Sequence, residues 1–340
     1  MARNSRRSKG MKKIEPSVQT MLFVTPGVDA GQTGKFTLDI SQVASLMNRR
    51  FYRQGLNWAV AGIKVISTTS SNIYVKKLPN TWVLSNAWEK GFRAWQRMIK
   101  NATDESGAQS IKGKFLDFKI YADDVHHNDG FLANLIPLDG DFNQYALGQW
   151  QPATFEIPNP NSAGPTGTPV DEREIIAVGP NFPGLSAATG LNAVSLIQGY
   201  ADSRALPSPV DPNVPADADN SWMVKLFGGA SIQDQEVIDN LEVDGNNPPY
   251  PFEGDLVGTP DTMYPGGETQ APTLELHDFD TITGTTIGGM TRMKGGTFPC
   301  GLVRFEFENT SGDNNQPFAI QVDLVPGTHR GYLCEPMTEM

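Results

Sequence analysis

The sequence predicts a mostly β protein of the sandwich type, and three observations favour this class. The 340 residues include 34 Gly and 25 Pro, a density of turn-forming residues that suits strands joined by loops better than a helical bundle. Runs of alternating apolar residues recur along the chain, and residues 302–308 form the clearest of them. Hydrophobic residues make up 39% of the chain, so a chain of this length can bury a large core without disulfides.

The strand-like runs alternate with stretches rich in turn-forming residues. The predicted strands are 18–25, 35–40, 58–67, 72–78, 111–122, 174–178, 222–227, 273–279, 302–308 and 317–325. Turn signals include Asp-Gly at 129–130 and 139–140 and Gly-Gly at 228–229 and 295–296. Residues 157–171, 206–220 and 244–272 are too long for hairpin turns and predict surface loops. Eight or more strands with long loops and two short inserted helices fit a single jelly roll, an eight-stranded antiparallel β-sandwich, over residues 14–340.

The first predicted helix follows the strand at 35–40. Ser41 is a suitable N-cap, and Val43, Met47 and Phe51 recur every four residues, as the buried face of a helix requires. Gly55 stands where a left-handed C-terminal cap is expected.

The second predicted helix begins at Asn86, with Glu89 three residues later in a pattern that resembles a capping box. One face carries an apolar stripe at helical spacing, formed by Trp88, Phe92, Trp95 and Ile99. The other face carries a basic stripe, formed by Lys90, Arg93, Arg97 and Lys100. The aromatic stripe predicts core packing, and the basic stripe is either a solvated face or a surface for a polyanion.

Charge is distributed unevenly along the chain. The first 120 residues contain 20 Lys/Arg and 7 Asp/Glu, and the remainder contains 7 Lys/Arg and 31 Asp/Glu, for a net charge of −11. Six basic residues lie in the first 13 positions: Arg3, Arg6, Arg7, Lys9, Lys12 and Lys13. Residues 1–13 contain almost no apolar side chains and predict a flexible arm that binds nucleic-acid phosphates without base specificity.

Motifs of enzymes and cofactor sites are absent from the sequence, which predicts neither an enzyme nor a cofactor. The densest group of possible metal ligands is formed by Asp124, His126, His127 and Asp129, but these residues surround a turn signal, so no metal site is predicted. Cys300 and Cys334 are expected to be free thiols. No apolar run is long enough to span a bilayer, and the basic N-terminus has no apolar segment typical of a secretory signal.

A basic arm, an acidic β body and long loops together suit the subunit of a shell around nucleic acid. The C-terminal runs LVRFEFEN and FAIQVDLVPGTHRGYLCEPMTEM, together with the short arm and the helices of the N-terminal half, resemble the capsid proteins of small circular, Rep-encoding single-stranded DNA (CRESS-DNA) viruses. This resemblance implies a jelly roll, icosahedral self-assembly around single-stranded DNA, an inward-facing arm and no catalytic activity. It also implies a virion location after synthesis in the host cytoplasm, nuclear import through the arm, and a host receptor that the sequence does not identify.

Circovirus-type capsids in this group carry longer, Arg-rich arms. In this chain, part of the phosphate binding is therefore expected to fall to residues outside the arm. The candidates are Arg49, Arg50, Arg53 and the basic stripe of the second helix.

Two other classes remain open from the sequence. A β-sandwich module could bind carbohydrate or another ligand through loop aromatics such as Trp150, Trp222 and Tyr250. A hydrolase could use a carboxylate pair or the polar cluster at 123–129. Charge alone does not distinguish a DNA cargo from an RNA cargo.

Overall fold

The computed structural model describes residues 16–107, 117–148, 150–158, 170–183, 192–204, 273–283 and 285–339. Within them the helices are α1 Ile40–Asn48, α2 Trp82–Glu105, α3 Asp124–Asp129 and α4 Leu196–Arg204. The first strands are β1 Thr20–Val24, β2 Thr33–Asp39, β3 Leu56–Ile66, β4 Ser71–Lys77, β5 Thr154–Pro158, β6 Val170–Ile176, β7 Phe182–Pro183 and β8 Asn192–Ser195. The remaining strands are β9 Glu275–Ile282, β10 Met290–Phe298, β11 Leu302–Asn309, β12 Ala319–Leu324, β13 Pro326–Gly327, β14 Gly331–Tyr332 and β15 Cys334–Pro336. The prediction of a mostly β protein is confirmed.

Two antiparallel sheets form the main body. The first sheet has the order β1-β12-β3-β10, with β15 also paired to β3, and the second sheet has the order β2-β11-β4-β9. Apolar side chains from both sheets belong to one hydrophobic cluster, which is consistent with a β-sandwich.

The clearest strand of the sequence, β11, lies inside the second sheet between β2 and β4. Val303, Phe305 and Phe307 are buried in the shared cluster, as their alternation predicts. Phe307 also stacks on Phe318, with 4.3 Å between the ring centroids.

A long insertion separates β4 from β9. It contains α2, α3, α4 and a third sheet of order β5-β6-β8-β7, in which β6 and β8 are parallel. The aromatic stripe of α2 packs into a second hydrophobic cluster with Phe118 and Phe155, so its predicted core role is confirmed. This cluster also includes Cys300 and Leu302 beside β11, so the insertion is packed against the sandwich.

Both predicted helix starts are wrong by a few residues. Asp39, not Ser41, is the N-cap of α1, because its carboxylate accepts hydrogen bonds from the backbone N–H groups of Ser41 and Gln42. Thr81, not Asn86, caps α2, and this helix runs for 24 residues rather than being short.

The predicted end of the first helix is also wrong. α1 stops at Arg49, which adopts the left-handed conformation with φ 54°, so Phe51 and Gly55 lie beyond it. Gly55 is instead required by a close approach, since a Cβ there would lie 2.3 Å from Cζ2 of Trp88.

The predicted strands coincide with β1, β2, β3, β4, β6, β9, β11 and β12 to within a few residues. Residues 117–122, the described part of the run 111–122, form only a single bridge from Tyr121 to Ile176, although they are largely buried. The Gly-Gly pair at 295–296 is not a turn but lies within β10. The ends of loop 157–171 belong to β5 and β6, which pair with each other. The run 222–227 and the loops 206–220 and 244–272 lie outside the described residues.

Candidate nucleic-acid interface

The six basic residues of the arm, Arg3, Arg6, Arg7, Lys9, Lys12 and Lys13, lie outside the described residues. The described residues begin at Pro16, and Pro16 and Ser17 are called the arm root below. The carbonyl of Pro16 accepts a hydrogen bond from Nη1 of Arg50 at 3.2 Å. Oγ of Ser17 donates to the carbonyl of Gly331 at 3.1 Å. The root of the arm is therefore fixed between the end of α1 and the turn that leads into β14.

The three arginines after α1 point to different partners. The guanidinium of Arg49 lies 5.9 Å from the ring centroid of Tyr145, and that of Arg53 lies 5.7 Å from the centroid of Phe51. Arg50 is half-buried against the arm root, whereas Arg49 and Arg53 are exposed. This group therefore presents two exposed cations beside the point where the arm leaves the body.

Sequence reasoning missed a further cation at this location. Arg330 is exposed and donates from Nη1 to the carbonyl of Phe51, and its own carbonyl accepts from the hydroxyl of Tyr52 at 2.9 Å. Arg330 lies 277 positions after Arg53 in the chain. In its local sequence, the turn signal is the glycine that follows it, Gly331. The available signal was the His-Arg-Gly turn, which carries two basic side chains between short strands.

The basic stripe of α2 lies on the solvent side of that helix. Arg93, Arg97 and Lys100 are exposed, and Lys90 is half-buried with its ammonium 5.5 Å from the ring centroid of Tyr200. Arg93 forms an ion pair with Glu89 one turn earlier. Lys90 and Lys100 are ten residues apart, about 15 Å along a helix, so the stripe is an extended surface rather than a pocket.

A cavity of about 220 Å³ is lined by residues of the segment that follows α1 and by residues of α2. The first group is Phe51, Arg53 and Gly55, and the second is Trp88 and Phe92. The lining also includes Asp117, Phe118, His329 and Arg330. The structure therefore brings Arg53 next to the aromatic stripe of α2.

Asp117 is the acidic group of this cavity. Its Oδ1 accepts a hydrogen bond from the backbone N–H of Gln54 at 3.2 Å, and its Oδ2 lies 3.7 Å from Nζ of Lys119. Burial raises the pKa of Asp117 to about 6, although the charge of Lys119 opposes this shift.

The side chain of Gln54 connects this cavity to the N-cap of α1. It donates to Oδ2 of Asp39 at 3.2 Å and accepts from the backbone N–H of Ile120 at 2.7 Å. Trp150 is also buried, and its indole N–H donates to the same oxygen of Asp39 at 2.6 Å. Trp150 is therefore not a surface aromatic, contrary to its assignment in the ligand-binding alternative, and Trp222 and Tyr250 lie outside the described residues.

The four weak metal candidates do not surround one point. His126 is buried, accepts from the backbone N–H of Ala122 through Nδ1 and places Nε2 2.7 Å from Oδ1 of Asn134. Burial lowers the pKa of His126 to about 3, although the hydrogen bond to Asn134 opposes the shift, so the ring is neutral and both nitrogens are in use.

The other three candidates point elsewhere. Nε2 of His127 lies 2.6 Å from a carboxylate oxygen of Glu174. Asp124 and Asp129 occupy the first and last positions of α3, and Asp129 is exposed. Across the part of the chain that the structure describes, no group of three or more His, Cys, Asp or Glu side chains is placed to hold a metal ion.

Among the described helices, none combines the length and the apolar character needed to cross a bilayer. Comparisons with protein-family models, with curated proteins and with solved structures found no match for this chain.

Proposed function

We propose that this chain is a viral capsid protein of the jelly-roll type, which assembles into an icosahedral shell around single-stranded DNA. In this proposal its role is structural rather than catalytic. The observation that carries the proposal is the order in which eight strands of the sandwich pair.

The pairing is nested. β1 pairs with β12, β2 with β11, β3 with β10 and β4 with β9, as in one long hairpin. Additional pairs join β12 to β3 and β11 to β4, so along each arm of the hairpin, β1 to β4 and β9 to β12, successive strands alternate between the two sheets. A long hairpin rolled into two four-stranded sheets has this order, which supports a jelly roll with a large insertion between its fourth and fifth strands.

Jelly rolls occur in capsid proteins, lectins and cupins, so the strand order alone does not select a function. The basic arm favours the capsid among these classes, because a shell must neutralise the phosphates of its genome. The contact between Pro16 and Arg50 supports the same choice, since the first described residue lies beside a group of arginines of which Arg49 and Arg53 are exposed.

Electron microscopy of the full-length recombinant protein tests the proposal. We expect closed shells of uniform size, which contain nucleic acid when the protein is assembled with a single-stranded oligonucleotide. Monomers or small oligomers at every salt concentration and pH would contradict it. In that case the ligand-binding alternative predicts binding in a glycan screen.

A further inference from the structure

The cavity lined by the segment after α1 and by α2 has the chemistry of a nucleotide-binding site. We infer that it binds one unpaired nucleotide of the enclosed strand, with the base between aromatic side chains and the phosphate near the arginines. This inference rests on the proposed function and adds to it a defined site on the folded body, separate from the arm.

Four of the ten residues that line the cavity are Phe or Trp. Trp88 and Phe92 are stacked, with 4.9 Å between centroids and 20° between planes, and Phe118 packs edge-on against Trp88. Phe51 also lines the cavity, and Phe92 is only half-buried. Aromatic walls of this kind stack on nucleobases with little dependence on base identity.

Two cations complement a phosphate at this site. Arg53 and Arg330 both line the cavity and are both exposed, so their guanidinium groups face solvent as well as the cavity. Arg330 uses one of the five N–H donors of its guanidinium for the carbonyl of Phe51. Guanidinium groups bind phosphate oxygens in a bidentate manner, which suits them to a nucleic-acid backbone.

Two buried polar atoms of the lining residues have no hydrogen-bond partner. They are the indole Nε1 of Trp88 and Oδ2 of Asp117, and the side chains that carry them are more than nine-tenths buried. A buried polar atom without a partner costs free energy, and a bound group can supply the missing hydrogen bond. A nucleobase edge carries both acceptors and N–H donors, the two kinds of group that an indole N–H and a carboxylate require.

The size of the cavity restricts the occupant. Its volume of about 220 Å³ lies below the roughly 300–1,000 Å³ of pockets for drug-sized ligands. A single planar base fits such a space, whereas a base pair does not, so the occupant is single-stranded. The arm root lies beside this cavity. Arg50 donates hydrogen bonds to the carbonyls of Pro16 and Arg330. Arg330 in turn donates to the carbonyl of Phe51, and both of these residues line the cavity.

Photocrosslinking tests the inference directly. The full-length protein is bound to a short oligodeoxythymidylate that contains 5-iododeoxyuridine, irradiated, digested and analysed by mass spectrometry. We expect crosslinks at Phe51, Trp88 or Phe92 in addition to any in the arm. Binding with crosslinks confined to other segments would overturn the nucleotide site alone, whereas no binding at all would contradict the proposed function.

Substitutions provide a second, independent measurement. Arg53→Gln removes one phosphate contact from an exposed side chain, so the slope of log affinity against log salt concentration should fall by about 0.7 for a single strand. Arg292→Gln is the matched control, because Arg292 is equally exposed but lies on β10 of the first sheet, away from the cavity. Equal slopes for the two variants would overturn the assignment of Arg53.

Phe92→Leu tests the stacking wall while it keeps an apolar side chain at a half-buried position. We expect crosslinking at Phe51 and Trp88 to decrease several-fold, while a cooperative urea transition shows that the variant is still folded. Undiminished crosslinking in this variant would show that the base does not stack on Phe92, which contradicts the inferred wall.

Discussion

Arg304 and Asp123 lie 181 positions apart in the chain, yet Nη2 of Arg304 donates to Oδ1 of Asp123 at 2.6 Å. Arg304 belongs to β11 and is 1% exposed, and its Nε donates to Oγ1 of Thr37 on β2. The same Asp123 oxygen accepts from the backbone N–H of His126 and caps α3. One carboxylate therefore connects the second sheet of the sandwich to the insertion.

The variant Asp123→Asn should destabilise the protein by about 3 kcal/mol, because it leaves the buried guanidinium of Arg304 without an ionic partner. Asparagine is also a good N-cap, so the variant removes the charge and retains the cap of α3. Urea unfolding measures the change, and Asp129→Asn at the exposed end of the same helix serves as the control. A shift no larger than that of the control would show that the ion pair contributes little to stability.

Trp150→Phe should lower stability by about 1–3 kcal/mol, because it removes a hydrogen bond to the buried carboxylate of Asp39 while it keeps most of the apolar volume. The measurement is again the urea midpoint, combined with a glycan-binding screen of the wild-type protein and of the variant. If the variant keeps its midpoint and loses binding to a glycan, Trp150 is a ligand-binding residue and the alternative function gains support.

Deletion of residues 1–13 should weaken binding to single-stranded DNA without unfolding the body, because the contacts of Pro16 and Ser17 are retained. The slope of log affinity against log salt concentration is about 0.7 per neutralised phosphate for single strands, so six cations account for a decrease of up to about four. Fluorescence anisotropy of a labelled oligodeoxythymidylate measures this slope. An unchanged slope at an unchanged urea midpoint would exclude the arm as the main phosphate contact.

Local patterns predicted the strands that carry strong apolar alternation, and the reason is visible in β11. Val303, Phe305 and Phe307 belong to the hydrophobic cluster of the sandwich, whereas Arg304 between them is buried in the ion pair with Asp123 of the insertion. Strand β10 escaped prediction because its sequence contains Gly295 and Gly296, which resemble a turn. These glycines are present because other groups approach closely: a Cβ on Gly296 would lie 2.7 Å from Cε1 of His277.

Only part of the candidate site was predictable, because its residues come from segments that are far apart in the sequence. The sequence identified Arg53 and the stripe of α2 separately, since each lies in a recognisable local pattern. The cavity also needs Asp117 and Arg330, which come from distant parts of the chain and carry no motif. Sequence spacing contains no information on such contacts, because they are set by how the insertion packs against the sandwich.

Gly295→Ala should destabilise the protein by about 1–3 kcal/mol, since the new Cβ would lie 2.3 Å from the carbonyl oxygen of Val60 and 2.4 Å from that of Ala61. Both contacts are with the backbone of β3, so a side-chain rotation cannot relieve them. Gly312→Ala is the matched control, because a Cβ at Gly312 would meet no atom within 4 Å. Equal urea midpoints for the two variants would contradict the close packing of β10 on β3.

Two buried groups give opposite dependences of stability on pH. Burial raises the pKa of Asp117 from 3.8 to about 6, so between these values the folded state holds a proton that the unfolded state has lost, and stability decreases as pH rises. Burial lowers the pKa of His126 from 6.5 to about 3, so between these values the unfolded state holds the extra proton, and stability increases as pH rises. From pH 4 to pH 6 the two contributions therefore nearly cancel in the wild-type protein.

Asp117→Asn should reveal the contribution of His126, because the amide does not titrate and its oxygen can still accept from the backbone N–H of Gln54. Relative to the wild-type protein, the free energy of unfolding of the variant should rise by about 1.4 kcal/mol per pH unit from pH 4 to pH 6. Above pH 6 the difference should become constant at about 3 kcal/mol at most, with the variant gaining from the loss of a buried charge. Urea midpoints across this pH range provide the test, with Asp129→Asn as the exposed control. Parallel profiles for Asp117→Asn and the wild-type protein would mean that Asp117 ionises near its ordinary pKa and that its carboxylate is better solvated than its burial implies.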